Sequence, residues 1–176
     1  MKKKGIIQVY TGNGKGKTTA AIGNAIRALG HGWKIIMIQF AKGSEKYGEI
    51  QACKKFLEPN FIIKQYGLDS FIDKNNPSDE DIKLANLGFE FMKEVLKSSE
   101  YDLVILDELN IALDFNLLDC DKVLEVLTNR NPEIDIIITG RYAPTKLIEI
   151  ADLVSEVKLI KHHYDQGIAA RTGIEF

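Results

Sequence analysis

The consecutive residues Thr11-Gly12-Asn13-Gly14-Lys15-Gly16-Lys17-Thr18-Thr19 combine types and spacing that suit a polyphosphate. Glycines at 12, 14 and 16 let the backbone bend so that successive N–H groups converge on an anion, and a helix starting at Lys17 adds the positive end of its dipole. In such a loop the lysine of a Gly-Lys-Thr run, here Lys17, reaches phosphate oxygens, and the adjacent Thr18 hydroxyl binds Mg²⁺. One position departs from the general pattern. The glycine expected five residues before Gly16 is Thr11, and the first glycine stands instead at Gly12, so γ-phosphate geometry is expected to differ from the ordinary case.

A second group with chemical potential closes the run Tyr101-Asp102-Leu103-Val104-Ile105-Leu106-Asp107-Glu108, a buried-strand pattern ending in adjacent carboxylates. In a P-loop protein this is the strand that holds the metal, and Mg²⁺ takes one or two carboxylates together with a hydroxyl and phosphate oxygens. Asp107 and Glu108 are both candidates, directly or through water. Glu108 is alternatively the general base of an ATPase, orienting a water on the γ-phosphate. These two motifs alone serve an ATPase, a small-molecule kinase or a nucleotide-switched binding module equally well.

The elements that must position these groups are legible from apolar runs. Strands are expected at 6–10, 34–40, 61–66, 103–106, 134–139 and 153–160. Helices are expected at 17–30, from the serine cap and acidic turn at Ser78-Asp79-Glu80-Asp81 onward, at 119–129 and at 145–151. Continuous rather than alternating apolar strands, interleaved with helices, predict a doubly wound α/β fold with a mainly parallel sheet covered on both faces. Ligands in such folds sit beyond the carboxyl ends of the strands. The irregular stretch from Gly67 to Pro77 is the longest candidate functional loop.

The 176 residues, 45% of them hydrophobic, suit one domain spanning 1–176. A net charge of −2 argues against nucleic acid held by bulk electrostatics and points to a small partner. The basic start, Met1-Lys2-Lys3-Lys4, precedes too few residues for a signal-peptide core, and no run reaches membrane-spanning length, so a cytoplasmic location is expected. Cys53 and Cys120 lack metal-ligand spacing and read as reduced thiols. The adjacent His162 and His163 read as surface residues, with no metal assigned to them.

Four segments, in order, give the chain a resemblance to the ATP:corrinoid adenosyltransferases of the P-loop type. They are Val9 to Ala21 with Arg27 to Gly32 and Gln39 to Gly43; Leu106-Asp107-Glu108-Leu109-Asn110; Ile138-Thr139-Gly140-Arg141 with Ala143-Pro144 and Ala151 to Glu156; and Lys161-His162, Asp165-Gln166-Gly167 and Gly173-Ile174-Glu175-Phe176. Thr11 ahead of Gly12 is itself the form this family takes. The departures are His163 where the family commonly has proline, Phe176 where it commonly has tyrosine, and a short N-terminus that is expected to alter closure of the site.

The resemblance implies a RecA-like P-loop fold and transfer of the 5′-deoxyadenosyl group of ATP to the cobalt of a reduced corrinoid, with release of triphosphate. It implies that Thr11, Gly12, Asn13, Gly14, Lys15, Gly16, Lys17, Thr18 and Thr19 hold the nucleotide, reversed in the loop so that the ribose C5′ faces the corrin. Lys17 and Lys15 would offset charge, and Thr18 and Glu108 would hold Mg²⁺, with Asp107 acting through water. An aromatic residue of the 67–77 loop would face the corrin; Phe71 is the choice, against the alternative that it anchors the loop to the body. Arg141 would contact phosphate or a corrinoid side chain, or else form a structural ion pair, and Lys42 is a similar case. A reductase supplying the electron and a homodimer complete the implied partners.

Overall fold

A computed structural model describes residues 4–175. Phe176 and the lysines at 2 and 3 therefore lie outside the described residues. The strands are β1 (Ile7–Thr11), β2 (Ile35–Phe40), β3 (Phe61–Tyr66), β4 (Leu103–Asp107), β5 (Asp135–Thr139) and β6 (Leu153–Glu156). They form one six-stranded sheet in the order β3-β2-β4-β5-β1-β6, and every pairing is parallel. All strands therefore point their carboxyl ends to one edge, where the phosphate loop leaves β1.

Side-chain parity sorts the central strands between two apolar layers. Ile36, Ile38 and Phe40 of β2, Val104 and Leu106 of β4, and Ile136 and Ile138 of β5 join one core. That core is covered by α3 (Asp79–Lys97), α4 (Leu109–Asp114), α5 (Cys120–Thr128) and α6 (Thr145–Ile150). Ile35, Met37, Leu103, Ile105 and Ile137 face the opposite layer, where α1 (Lys17–Leu29) packs through Ala21, Ala25 and Ala28. Three alanines on the buried stripe let α1 lie close to the sheet, so the residues at its first turn meet the strand ends directly.

The expected helix at Ser78 is closed by a capping box. The Ser78 hydroxyl accepts from the Asp81 N–H at 3.1 Å, and the Asp81 carboxylate accepts from the Ser78 N–H at 3.0 Å. Two elements lie where no helix was expected. The first is α2 (Gly48–Ala52), continuing as a π-helical turn over Cys53–Leu57, and the second is the short α4 directly after Glu108. Both are too brief to show a full amphipathic period. The expected strand at 153–160 ends at Glu156, because the chain there leaves the sheet to run over the phosphate loop. The Cys53 thiol donates to the Phe61 carbonyl at 2.8 Å, and burial pushes it up to about 11, so it is an inert packing group.

Candidate functional site

The carboxyl edge is shaped by backbone reversals. Each of four strands is followed at once by a residue with positive φ: Gly12 (97°) after β1, Ala41 (55°) after β2, Glu108 (57°) after β4 and Gly140 (128°) after β5. Ala41 and Glu108 are not glycines, and left-handed conformations at such residues persist only where the surroundings enforce them. At Glu108 the enforcing contact is visible, since its N–H donates to the Thr139 hydroxyl at 3.0 Å. Gly12 could not be replaced, because a Cβ there would lie 2.5 Å from the Val157 carbonyl oxygen.

Asp107 sits at the centre. It is wholly buried, on the α1 side of the sheet by the parity that places Leu103 and Ile105 there. Its Oδ1 accepts from the hydroxyls of Thr18 (2.8 Å) and Thr139 (2.7 Å), and its Oδ2 accepts from Gln39 Nε2 (3.0 Å) and Lys42 Nζ (2.7 Å). A carboxylate offers about four lone-pair positions, so the protein fills this one completely. Burial by itself would raise Asp107, but the Lys42 charge and the hydrogen bonds from Lys42, Thr139 and Thr18 overcome it and hold the group below the usual carboxylate range. The row continues outward, because Gln65 Nε2 donates to Gln39 Oε1 at 3.1 Å. Gln39 is thereby fixed at both ends of its amide.

Glu108 differs from its neighbour. Its side chain is 23% exposed, just beyond the end of β4. Burial and then the Asp107 charge raise its pKa, outweighing the opposing charges of Lys42, Lys17 and Arg141. The Lys42 ammonium stands 3.9 Å from Glu108 Oε1 and 3.3 Å from Thr18 Oγ1 while bonded to Asp107. One cation thus already sits among the hydroxyl and two carboxylates, and that all-oxygen donor set suits a hard divalent ion such as Mg²⁺.

The phosphate loop runs above this cluster. Lys17 is buried, and its ammonium donates to the carbonyls of Gly12 and Gly14, both at 2.7 Å. Burial lowers its pKa, an effect that the nearby Glu108 charge partly offsets. Lys15 points elsewhere, and its ammonium reaches the Ile174 carbonyl at 2.7 Å and Glu175 Oε1 at 2.9 Å. The C-terminal segment is also tied down at Val157, whose N–H donates to the Thr11 carbonyl at 2.8 Å and whose carbonyl accepts from Gly14 N–H at 2.7 Å. A cleft of about 350 Å³ opens between Gly14-Lys15 and residues 158–163. Asn13 and Thr19 are exposed, while the Thr11 hydroxyl accepts from the Ala143 N–H at 3.2 Å.

The structure therefore brings together the loop, Thr18, Asp107 and Glu108. Arg141 is exposed after β5, near enough for its charge to act on Lys17 and Glu108. Phe71 stands apart and is fully exposed, so it does not anchor its loop; Ile72, partly buried against the core, does that. Sequence reasoning gave no role to Gln39, Gln65 or Thr139. The signal was present, since Gln39 and Thr139 are polar residues near the carboxyl ends of mostly apolar strands, on the same face as Asp107.

An all-parallel sheet with a glycine-rich loop between β1 and α1, wired through a threonine to the acidic end of β4, defines a P-loop nucleotide-binding protein of the RecA-like fold. A solved RadB recombinase structure shares this fold, with a TM-score of 0.51 over 90% of this chain and 77% of that one at 16% identity. Within that class, the chain belongs to the family described as ATP:corrinoid adenosyltransferase BtuR/CobO/CobP, whose sequence model matches residues 3–176. Among its relatives, the corrinoid adenosyltransferase of Escherichia coli K12 is 38% identical over 99% of this chain and 87% of the relative. That of Pseudomonas aeruginosa is 37% identical over 99% of this chain and 85% of the relative.

Proposed function

We propose that this chain, acting as one domain, transfers the 5′-deoxyadenosyl group of ATP to the cobalt of a reduced corrinoid, cob(I)alamin or cob(I)yrinic acid a,c-diamide, in the making or salvage of adenosylcobalamin. The carrying observation is a family match along the whole described chain that coincides with an intact phosphate loop joined to a buried aspartate. In the reaction the cobalt electron pair attacks the ribose C5′, a cobalt–carbon bond forms, and the carbon–oxygen bond breaks with its pair leaving on triphosphate. The nucleophile belongs to the substrate, so the protein's tasks are positioning, charge neutralisation and exclusion of water.

The loop 11–19 holds the triphosphate, with Gly14 N–H already committed to Val157. Lys17 neutralises phosphate charge by exchanging two carbonyl partners for phosphate oxygens, and the anion restores the pKa that burial lowers. Lys15 contributes in the same way once Glu175 releases it. Arg141 adds a further positive charge at the edge. Thr18 donates its proton to Asp107 and so turns its lone pairs outward; with Glu108 it would hold Mg²⁺, and Asp107 would act through water. When bound, that ion offsets the charge that grows on the leaving triphosphate. Phe71, held out on the 67–77 loop, provides an apolar face for the corrin.

The reading extends to a reductase as electron source, to a homodimer and to a cytoplasmic location. Among the described residues no helix is long and apolar enough to cross a membrane. The test is an anaerobic assay with ATP, Mg²⁺ and chemically reduced cob(I)alamin that follows the corrinoid spectrum and the phosphate product together. Light-sensitive adenosyl-cobalt with intact triphosphate is expected. Orthophosphate release with an unchanged corrinoid spectrum would overturn the reading in favour of an ATPase.

A further inference from the structure

We infer that Lys42 is a tethered counter-ion that occupies the divalent-cation seat of this site and yields it when metal arrives with the nucleotide. Three distances define the seat. The Lys42 ammonium lies 2.7 Å from Asp107 Oδ2, 3.3 Å from Thr18 Oγ1 and 3.9 Å from Glu108 Oε1. These are the hydroxyl and the two carboxylates to which a P-loop cation is directed. One ammonium and one metal ion cannot share that space.

The backbone on either side of Lys42 is fixed. Ala41 takes a left-handed φ of 55°, which turns the chain at the end of β2. Gly43 is pressed against the neighbouring loop so closely that a Cβ there would lie 2.1 Å from the Gly67 carbonyl oxygen. The main chain is thus closely packed on both sides of Lys42, and its four-carbon stem carries the ammonium to Asp107. Thr18, Thr139 and Gln39 supply Asp107 with three neutral donors, and Lys42 adds the positive charge.

The physical reason for such a device is the cost of a buried carboxylate without a positive charge. Asp107 is wholly buried, and an unpaired charge at that depth is expensive. Lys42 keeps the aspartate charged and correctly turned before substrate binds. When a divalent ion enters with ATP, the ammonium leaves Oδ2 and its charge moves onto the triphosphate. Asp107 would then act on the ion through water. The exchange keeps positive charge beside Asp107, and it makes metal binding depend on nucleotide, because the nucleotide gives Lys42 somewhere to go.

The inference rests on the Mg²⁺·ATP reading of the site, and its test uses a readout independent of transfer. Mn²⁺ binding to the nucleotide-free protein is measured by electron paramagnetic resonance for wild type, Lys42→Met, Lys42→Gln and Lys42→Arg. Removing one unit charge about 4 Å from a divalent ion should tighten Mn²⁺ binding about tenfold or more in Lys42→Met and Lys42→Gln, even with water-like screening. Lys42→Arg should stay as weak as wild type. With ATP present the order should reverse, wild type binding Mn²⁺·ATP more tightly than Lys42→Gln. The glutamine variant retains a donor for Asp107 and carries the test should the methionine variant fail to fold. Equal Mn²⁺ affinity of wild type and Lys42→Gln without nucleotide would overturn the inference. Adenosyl transfer by wild type with Mn²⁺ in place of Mg²⁺ checks the parent reading separately.

Discussion

Asp107 and Phe71 stand at opposite extremes of the same molecule. Asp107 is wholly buried and takes hydrogen bonds from Thr18, Thr139, Gln39 and Lys42, whereas Phe71 is as exposed as an isolated residue. The first belongs to the side of the site that meets phosphate and metal, the second to the loop proposed to meet the corrinoid. A small, hard, charged group can be met by donors fixed in advance, and preorganisation is where such sites gain most. A broad apolar macrocycle is better met by a surface that closes on it, because its binding follows buried area rather than angle. The two sides thus divide the work by the chemistry of what they hold.

Removing the link between loop and aspartate should break the fixed side outright. Thr18→Ala deletes both an outward-facing oxygen and a donor to Asp107, and we expect transfer to fall about a hundredfold or more, with a matching loss of Mn²⁺·ATP affinity in an equilibrium titration. Gln39→Leu tests whether that side is fixed by its supporting row. It takes one of four donors from Asp107 and the Oε1 acceptor from Gln65 Nε2, and should cost about 1–3 kcal/mol in a urea melt, because a buried charged acceptor loses a donor. An unchanged midpoint would show that the row is ornamental.

Phe71→Ala probes the open side and should behave oppositely. ATP affinity and stability should be those of wild type, while corrinoid-dependent transfer drops about tenfold, the scale of one lost aromatic contact. Unchanged transfer kinetics would remove Phe71 from the site. The smallest effect concerns the C-terminal segment over the loop. The hydrogen bond from Lys15, then that from the Arg171 N–H, lower Glu175 from 4.5 to about 2. A depressed folded value means the contact contributes fully above 4.5 and is lost as pH falls through about 2. A carboxyl NMR titration should find that midpoint in wild type and find it moved back toward 4.5 in Lys15→Met.

The same contrast explains what was legible in the sequence. Strands and long helices follow from apolar runs and the cap at Ser78, and the parallel sheet with helices on both faces matches that expectation. The phosphate loop and the paired carboxylates carry local signatures. The division of labour between Asp107 and Glu108 does not, because it depends on parity within β4 and on a left-handed turn at Glu108 enforced from β5. Gln39 and Gln65 act through the registers that set Gln39 beside Asp107 and beside Gln65, and register is a property of the assembled sheet. The helices at 48–57 and 109–114 are too short to announce themselves, and the position of Phe71 is set by a loop without periodicity.

The division is tested most directly by hydrogen exchange followed by mass spectrometry on the free protein, with Mg²⁺·ATP, and then with corrinoid added. Peptides covering 103–110 should be protected in every state, while the segment 70–77 should exchange fast in the free and nucleotide-bound protein and slow only when corrinoid is present. Protection of 70–77 in the free protein, or fast exchange at 103–110, would contradict the account.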